Sequence, residues 1–85
     1  MAKYQGTIRE RMVALVAEEL QLTREEIVDE SEIERDLGAD SLDRTEIIME
    51  CEDEFGITIH DDDCQAWSTF ADMLATVERL VAEQA

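Results

Sequence analysis

The chain contains no proline, a single histidine, two cysteines and only seven basic residues among its 85. Without proline it lacks the residue that most strongly interrupts helices, which is consistent with a mostly helical chain. The one histidine, His60, stands among acids, so a serine nucleophile would have no evident base and no constellation of catalytic residues is present. Two lone cysteines and one histidine at no ligand spacing argue against a zinc or other metal site. A reducing cytosol and their places in apolar helical patterns favour buried thiols for Cys51 and Cys64, with a disulfide the lesser alternative. Seven Lys and Arg against 23 Asp and Glu give a net charge of −16. Such a balance argues against nucleic acid or an anionic membrane as partner and favours a partner with a basic docking face.

Long apolar runs are also missing. No stretch approaches the roughly 20 residues of a membrane span. Met1-Ala2-Lys3-Tyr4 begins neither a signal-peptide core nor an arginine-rich transit pattern, so the expected location is cytoplasmic. A chain of this length makes one domain, residues 1–85, that buries about 60–65% of its unfolded surface. That closes a few helices over one another and leaves little room for a deep cleft.

What is present is helical periodicity with local start and stop signals. Thr7 and Glu10 form a capping box, followed by Ile8, Met12, Leu15 and Val16 at helical spacing, which predicts a helix over about 8–20. The connection 21–40 is long, and Leu22, Ile27, Val28, Ile33 and Leu37 are expected to pin it to the core. Within it, Thr23 with Glu26 and Ser31 with Glu34 repeat the capping-box spacing and predict short helical turns. A second helix is expected over 41–55, stopped by Gly56. Ile57 and Ile59 alternate with Thr58 like a strand, but no second strand exists to pair with them, so they read as loop anchors. Asp61-Asp62-Asp63 starts a short third helix through Ala66 or Trp67. Ser68 or Thr69 caps the last helix, in which Phe70, Met73, Leu74, Val77, Leu80 and Val81 trace one apolar stripe. The sum is an all-α, small four-helix bundle of three longer helices and one short one. A calcium loop starting at Asp61 fails, because its sixth and twelfth positions are Ala66 and Asp72 instead of Gly and Glu.

The most informative segment is Gly38-Ala39-Asp40-Ser41-Leu42-Asp43. It places a serine at the opening of a helix, where unpaired backbone N–H groups and the positive end of the helix dipole tolerate a phosphate ester. Gly38 lets the chain turn tightly, and Asp40 is a natural N-cap. With no base nearby, Ser41 reads as a hydroxyl that another enzyme modifies. As an isolated tripeptide, Asp-Ser-Leu would be no more than a helix cap.

Residues 38–43, followed by Glu46-Ile47-Ile48-Met49 and Glu52-Asp53-Glu54-Phe55-Gly56, closely resemble the acyl carrier protein family, and the resemblance runs from about Ile8 to Val81. It implies that Ser41 carries 4′-phosphopantetheine, whose terminal thiol holds an acyl chain as a thioester. It implies a phosphopantetheinyl transferase as the modifying enzyme, acyl-processing synthases and transferases as partners, and a monomeric carrier in fatty acid or related lipid synthesis. By matching positions, Asp40, Leu42, Asp43, Glu46, Ile48, Met49, Glu52 and Asp53 become the partner-docking residues. For each acid the plain alternative is a solvated helix face, and for Ile48 and Met49 it is core packing. The family also lodges the acyl chain between its helices; Cys51, Cys64 and Trp67 either line such a space or simply pack.

Departures from the family pattern bear on which carrier this is. Arg44 puts a positive charge on the recognition helix, Thr45 stands where an apolar residue is frequent, and His60 where proline is. Polyketide, peptidyl and D-alanyl carriers are therefore alternatives within the class. An unmodified acidic interaction module, whose function would survive loss of the Ser41 hydroxyl, is the alternative outside it.

Overall fold

A computed structural model describes residues 2–84. Its elements are α1 (Ile8–Leu20), a single 3-10 turn (Arg24–Glu26), α2 (Ser41–Phe55), α3 (Asp61–Cys64) and α4 (Phe70–Gln84). Among the described residues there is no strand; an isolated antiparallel bridge joins Glu32 to Thr69. The architecture is the expected bundle of three long helices and one short one. No helix among the described residues is long and apolar enough to cross a membrane.

Each long helix starts where its local chemistry dictates. The Thr7 hydroxyl accepts from the Glu10 N–H at 3.1 Å while the Glu10 carboxylate accepts from the Thr7 N–H at 2.8 Å. These reciprocal bonds satisfy two donors that α1 itself cannot. Asp40 and Asp43 do the same for α2, at 2.8 and 3.1 Å. Thr69 is the cap of α4, its hydroxyl accepting from Asp72 N–H, and the Asp72 carboxylate takes the N–H groups of both Ser68 and Thr69. Gly56 ends α2 at a φ of 64°, a left-handed conformation that side chains disfavour.

The three long helices share one core. Met12, Leu15 and Val16 of α1 meet Ile47 and Cys51 of α2 and Phe70, Met73 and Val77 of α4. All eight are no more than 1% exposed, so truncating any of them leaves a cavity. Ile27, Ile33 and Leu37 sink into this core and hold the long connection down, and Ile57 and Ile59 are buried anchors as expected.

Four local expectations are corrected. Val28 does not pin the connection: the turn in which its N–H donates to the Ser31 hydroxyl leaves its side chain 53% exposed. Ser31 does not cap a turn with Glu34, because its buried hydroxyl is spent on Val28 N–H and the Glu26 carbonyl. Asp36 closes that turn instead, accepting from Glu32 N–H at 2.8 Å. The third helix stops at Cys64, short of Ala66 or Trp67, since the chain turns there to bury Trp67 and bring its indole N–H to Thr76 Oγ1 at 2.9 Å. Cys51 is a buried thiol, whereas Cys64 is only half-buried; both are free. Burial pushes the Cys51 thiol up to about 12, so it behaves as a small apolar side chain beside Met12.

The far end of α2 is held from a distance. Glu54, 6% exposed, accepts from the N–H groups of Lys3 at 2.6 Å and Tyr4 at 3.1 Å and from Arg11 Nε at 2.9 Å. Arg11 also donates to the Glu54 carbonyl and lies over the Phe55 ring at 4.4 Å. Burial pushes the Glu54 carboxyl up, but the bonds from Lys3, Tyr4 and Arg11 together outweigh it and hold the group below its ordinary value. Glu52, Asp53 and Glu54 crowd the negative end of the helix dipole, which is unfavourable by itself, and Arg11 supplies the cation that offsets it.

Candidate functional site

The local sequence presents Ser41 as the first residue of α2, directly after its cap. Gly38 has a φ of 74° and open space where a Cβ would stand, so its use is conformational: it turns the chain into Asp40. Asp40 then fixes the helix start through Asp43, and buried Ala39 anchors the approach. The Ser41 side chain is exposed, and its hydroxyl has no hydrogen-bond partner among the described residues. Its carbonyl is engaged by the Thr45 hydroxyl at 3.0 Å. The result is a solvent-facing primary alcohol on a rigid helix start whose first N–H groups favour an anion.

The residues predicted to dock partners fall on different sides of α2. Leu42 and Met49 are 64% and 58% exposed and lie seven residues apart, hence on one face. Asp40, Thr45 and Asp53 are exposed too, while Asp43 and Glu46 are half-buried. Ile48 is partly buried against the core. Glu52 turns toward the following segment, where it accepts from Ile59 N–H at 2.8 Å. α2 thus brings Leu42, Glu46, Met49 and Asp53 onto a shared outer stripe beyond Ser41, an apolar strip with acidic neighbours.

Two features of this helix were not legible as such. Glu19, near the end of α1, is hydrogen-bonded to Glu46 and faces Glu50 and Asp43 as well. The Glu46 bond, partial burial and the neighbouring negative charges push the Glu19 carboxyl up to about 7. The raised Glu19 carboxyl therefore lies beside the exposed stripe. Arg44, the positive charge on this helix, turns its side chain toward residues 64–67. Its guanidinium donates to the carbonyls of Cys64 at 3.2 Å and Trp67 at 3.4 Å, and the side chain is half-buried.

The arrangement at Ser41 suits a covalently attached phosphodiester. An accessible alcohol without an internal partner, at an open helix N-terminus, accepts such a group with no rearrangement of the cap. A chain family described as the phosphopantetheine attachment site matches residues 10–77. The chain is 40% identical over 78 residues to a protein of Thermosynechococcus vestitus named "Acyl carrier protein", covering 92% of this chain and 96% of that one. A protein of the same name from Nitratidesulfovibrio vulgaris strain Miyazaki F is 40% identical over 72 residues, covering 85% and 95%. Another, from strain DP4, is 44% identical over 59 residues, covering 69% and 78%.

Proposed function

The chain belongs to the acyl carrier protein family, and on that premise we propose that the Ser41 hydroxyl is the attachment point of its 4′-phosphopantetheine and that α2 is the face its partner enzymes read. The protein is a carrier and not a catalyst. The arm supplies a thiol on a flexible tether, which carries acyl groups as thioesters. One observation carries the choice of residue: Ser41 is exposed, unpartnered and held at a capped helix start.

The remaining chemistry follows from the residues around it. No described residue stands ready to accept the Ser41 proton, since Asp40 and Asp43 are committed to the cap. The base must come from a phosphopantetheinyl transferase, for which this chain is substrate. Leu42 and Met49 offer apolar contact to that enzyme and to later partners. Glu46 and Asp53, with Asp40 and Asp43, supply the negative field that steers a basic patch toward Ser41. Tethering then converts each later encounter into an intramolecular one at the docked enzyme. We assign the cargo to fatty acid or related lipid synthesis, carried by a cytoplasmic monomer among synthases with basic docking patches.

Incubation with coenzyme A and a broad-specificity transferase tests the assignment. Intact mass should rise by one phosphopantetheine unit, and proteolytic mapping should put it on the peptide holding Ser41. Two units, or one on another peptide, would refute it.

A further inference from the structure

α3 lies against α4, and among the described residues its backbone makes no approach to α2. On α2, Ser41, Arg44 and the buried Ile47 follow one another at three-residue spacing, hence on one face, the one that looks across the interval to α3 and the buried Trp67. Arg44, one turn into α2, is the side chain that spans it. Its Nη2 donates to the last carbonyl of α3, that of Cys64, at 3.2 Å, and its Nη1 to Trp67 at 3.4 Å. The Cys64 carbonyl also accepts from the Trp67 N–H at 3.1 Å, and a guanidinium fork reaches it and the Trp67 carbonyl together.

The other side of the same segment is tied to α4. The Trp67 indole donates to Thr76 Oγ1 at 2.9 Å, and that hydroxyl donates to the Asp63 carbonyl at 3.5 Å. Arg79 of α4 pairs with the Asp63 carboxylate at 2.8 Å. Residues 61–67 are thus laced to α2 through Arg44 and to α4 through Thr76 and Arg79. An apolar chain leaving Ser41 for the core by this route would have to separate the Arg44 guanidinium from both carbonyls, of which Cys64 alone keeps a bond from the Trp67 N–H. It would also have to displace a tryptophan whose N–H is satisfied inside. Unmaking these half-buried and buried hydrogen bonds opposes the gain from burying methylenes.

We propose that Arg44 is a cargo-length determinant: its clasp on Cys64 and Trp67 closes the seam between α2 and α3, so this carrier holds short acyl groups outside its core. The proposal rests on the reading of Ser41 as the attachment point, and the test separates the two. Wild type, Arg44→Met and Arg44→Lys are each converted from the unmodified protein with acetyl, hexanoyl and dodecanoyl coenzyme A and a transferase, and mass confirms the load. Absence of any load refutes the attachment and the proposal together. With loading confirmed, the melting temperature and Trp67 fluorescence are compared with those of the form bearing the unacylated arm.

In wild type both readouts should stay flat from acetyl to dodecanoyl. In Arg44→Met, which keeps an apolar stem but no donor, the melting temperature should climb by roughly 5 °C for each added pair of methylenes until the space fills. Trp67 emission should shift in step. Arg44→Lys, with one compact head in place of a fork, should fall between them, and carries the comparison should Arg44→Met not fold. A wild type that is stabilised with chain length as steeply as the variants would overturn the proposal, and so would variants as flat as wild type. Either result leaves the attachment at Ser41 standing.

Discussion

At its first turn α2 leaves Ser41, Leu42 and Asp40 in solvent, whereas at its last turn the same helix buries Glu54 beneath the N-terminal segment and Arg11. Both ends are built around carboxylates. Asp40 satisfies the helix's own backbone three residues on. Glu54 satisfies donors 43, 50 and 51 residues away and joins the N-terminus to the bundle. The difference teaches how a small domain presents a modifiable group on rigid backbone. One end of the helix is fastened by long-range bonds to its carboxylate, whereas at the other the Asp40 cap bonds only locally and Ser41 stays open to an enzyme. Changes at the two ends should therefore separate stability from modification.

The largest expected effect lies at the fastened end. Glu54→Ala strands the Lys3 and Tyr4 N–H groups and removes the partner of a guanidinium packed on Phe55. The cost should be about 3 kcal/mol in urea unfolding, since breaking one side of a buried pair leaves the other uncompensated. Below the melting temperature, arm transfer to Ser41 should persist. Glu54's stability contribution, from a carboxyl held below its ordinary value, is present at neutral pH and lost as pH falls through the acid range. Equal stability of Glu54→Ala and wild type at neutral pH would remove the contrast.

Along the rest of α2, charge should act on encounter and spare the fold. Glu46→Gln, Glu52→Gln and Asp53→Asn together should slow arm transfer by roughly 10-fold at low salt, with the defect shrinking as salt rises. Glutamine at 52 keeps an acceptor for Ile59 N–H, so the bundle should stay intact. Transfer as fast as wild type at low salt would show that partners do not read these acids.

A smaller effect should come from the raised Glu19 carboxyl beside the stripe. The Glu19 carboxyl is raised to about 7 by Glu46, so the folded state holds a proton there that the unfolded chain has already lost. Between the ordinary carboxylate range and about 7, this group's contribution to stability falls as pH rises. Glu19→Gln should therefore raise the melting temperature above pH 7 relative to wild type, and the difference should vanish at the acid end. A difference that grows toward acid pH would contradict the assignment of the proton.

How much could be read from the sequence follows the range of the forces. The bounds of α1 and α2, the capping box of α1 and the Asp40 cap of α2 are short-range chemistry and were legible residue by residue, although the reciprocal bond from Asp40 N–H to Asp43 was not read. So was the motif at Ser41, because its glycine, cap and serine act within four residues of one another. Glu54 looked like one acid in an acidic run, since nothing local marks a carboxylate whose partners are Lys3, Tyr4 and Arg11. Arg44 was visible as a departure, but the direction of its side chain was not: a side chain on a helix can turn to either flank, and only the position of the Cys64 and Trp67 carbonyls decides which. Trp67 bent the chain out of α3 for the same reason, its indole needing Thr76. Val28 and Ser31 failed together, because a turn that spends the serine hydroxyl on backbone also swings the valine outward.

The division of α2 into a fastened end and an open one is tested most directly at Ser41. Wild type and Ser41→Ala are treated side by side with coenzyme A and a transferase, and each is weighed intact and melted. Wild type should gain one phosphopantetheine unit and Ser41→Ala none. The two unmodified proteins should differ in stability by no more than about 1 kcal/mol, because the hydroxyl holds nothing together. An arm on Ser41→Ala, or a variant that loses the fold along with the arm, would contradict the account.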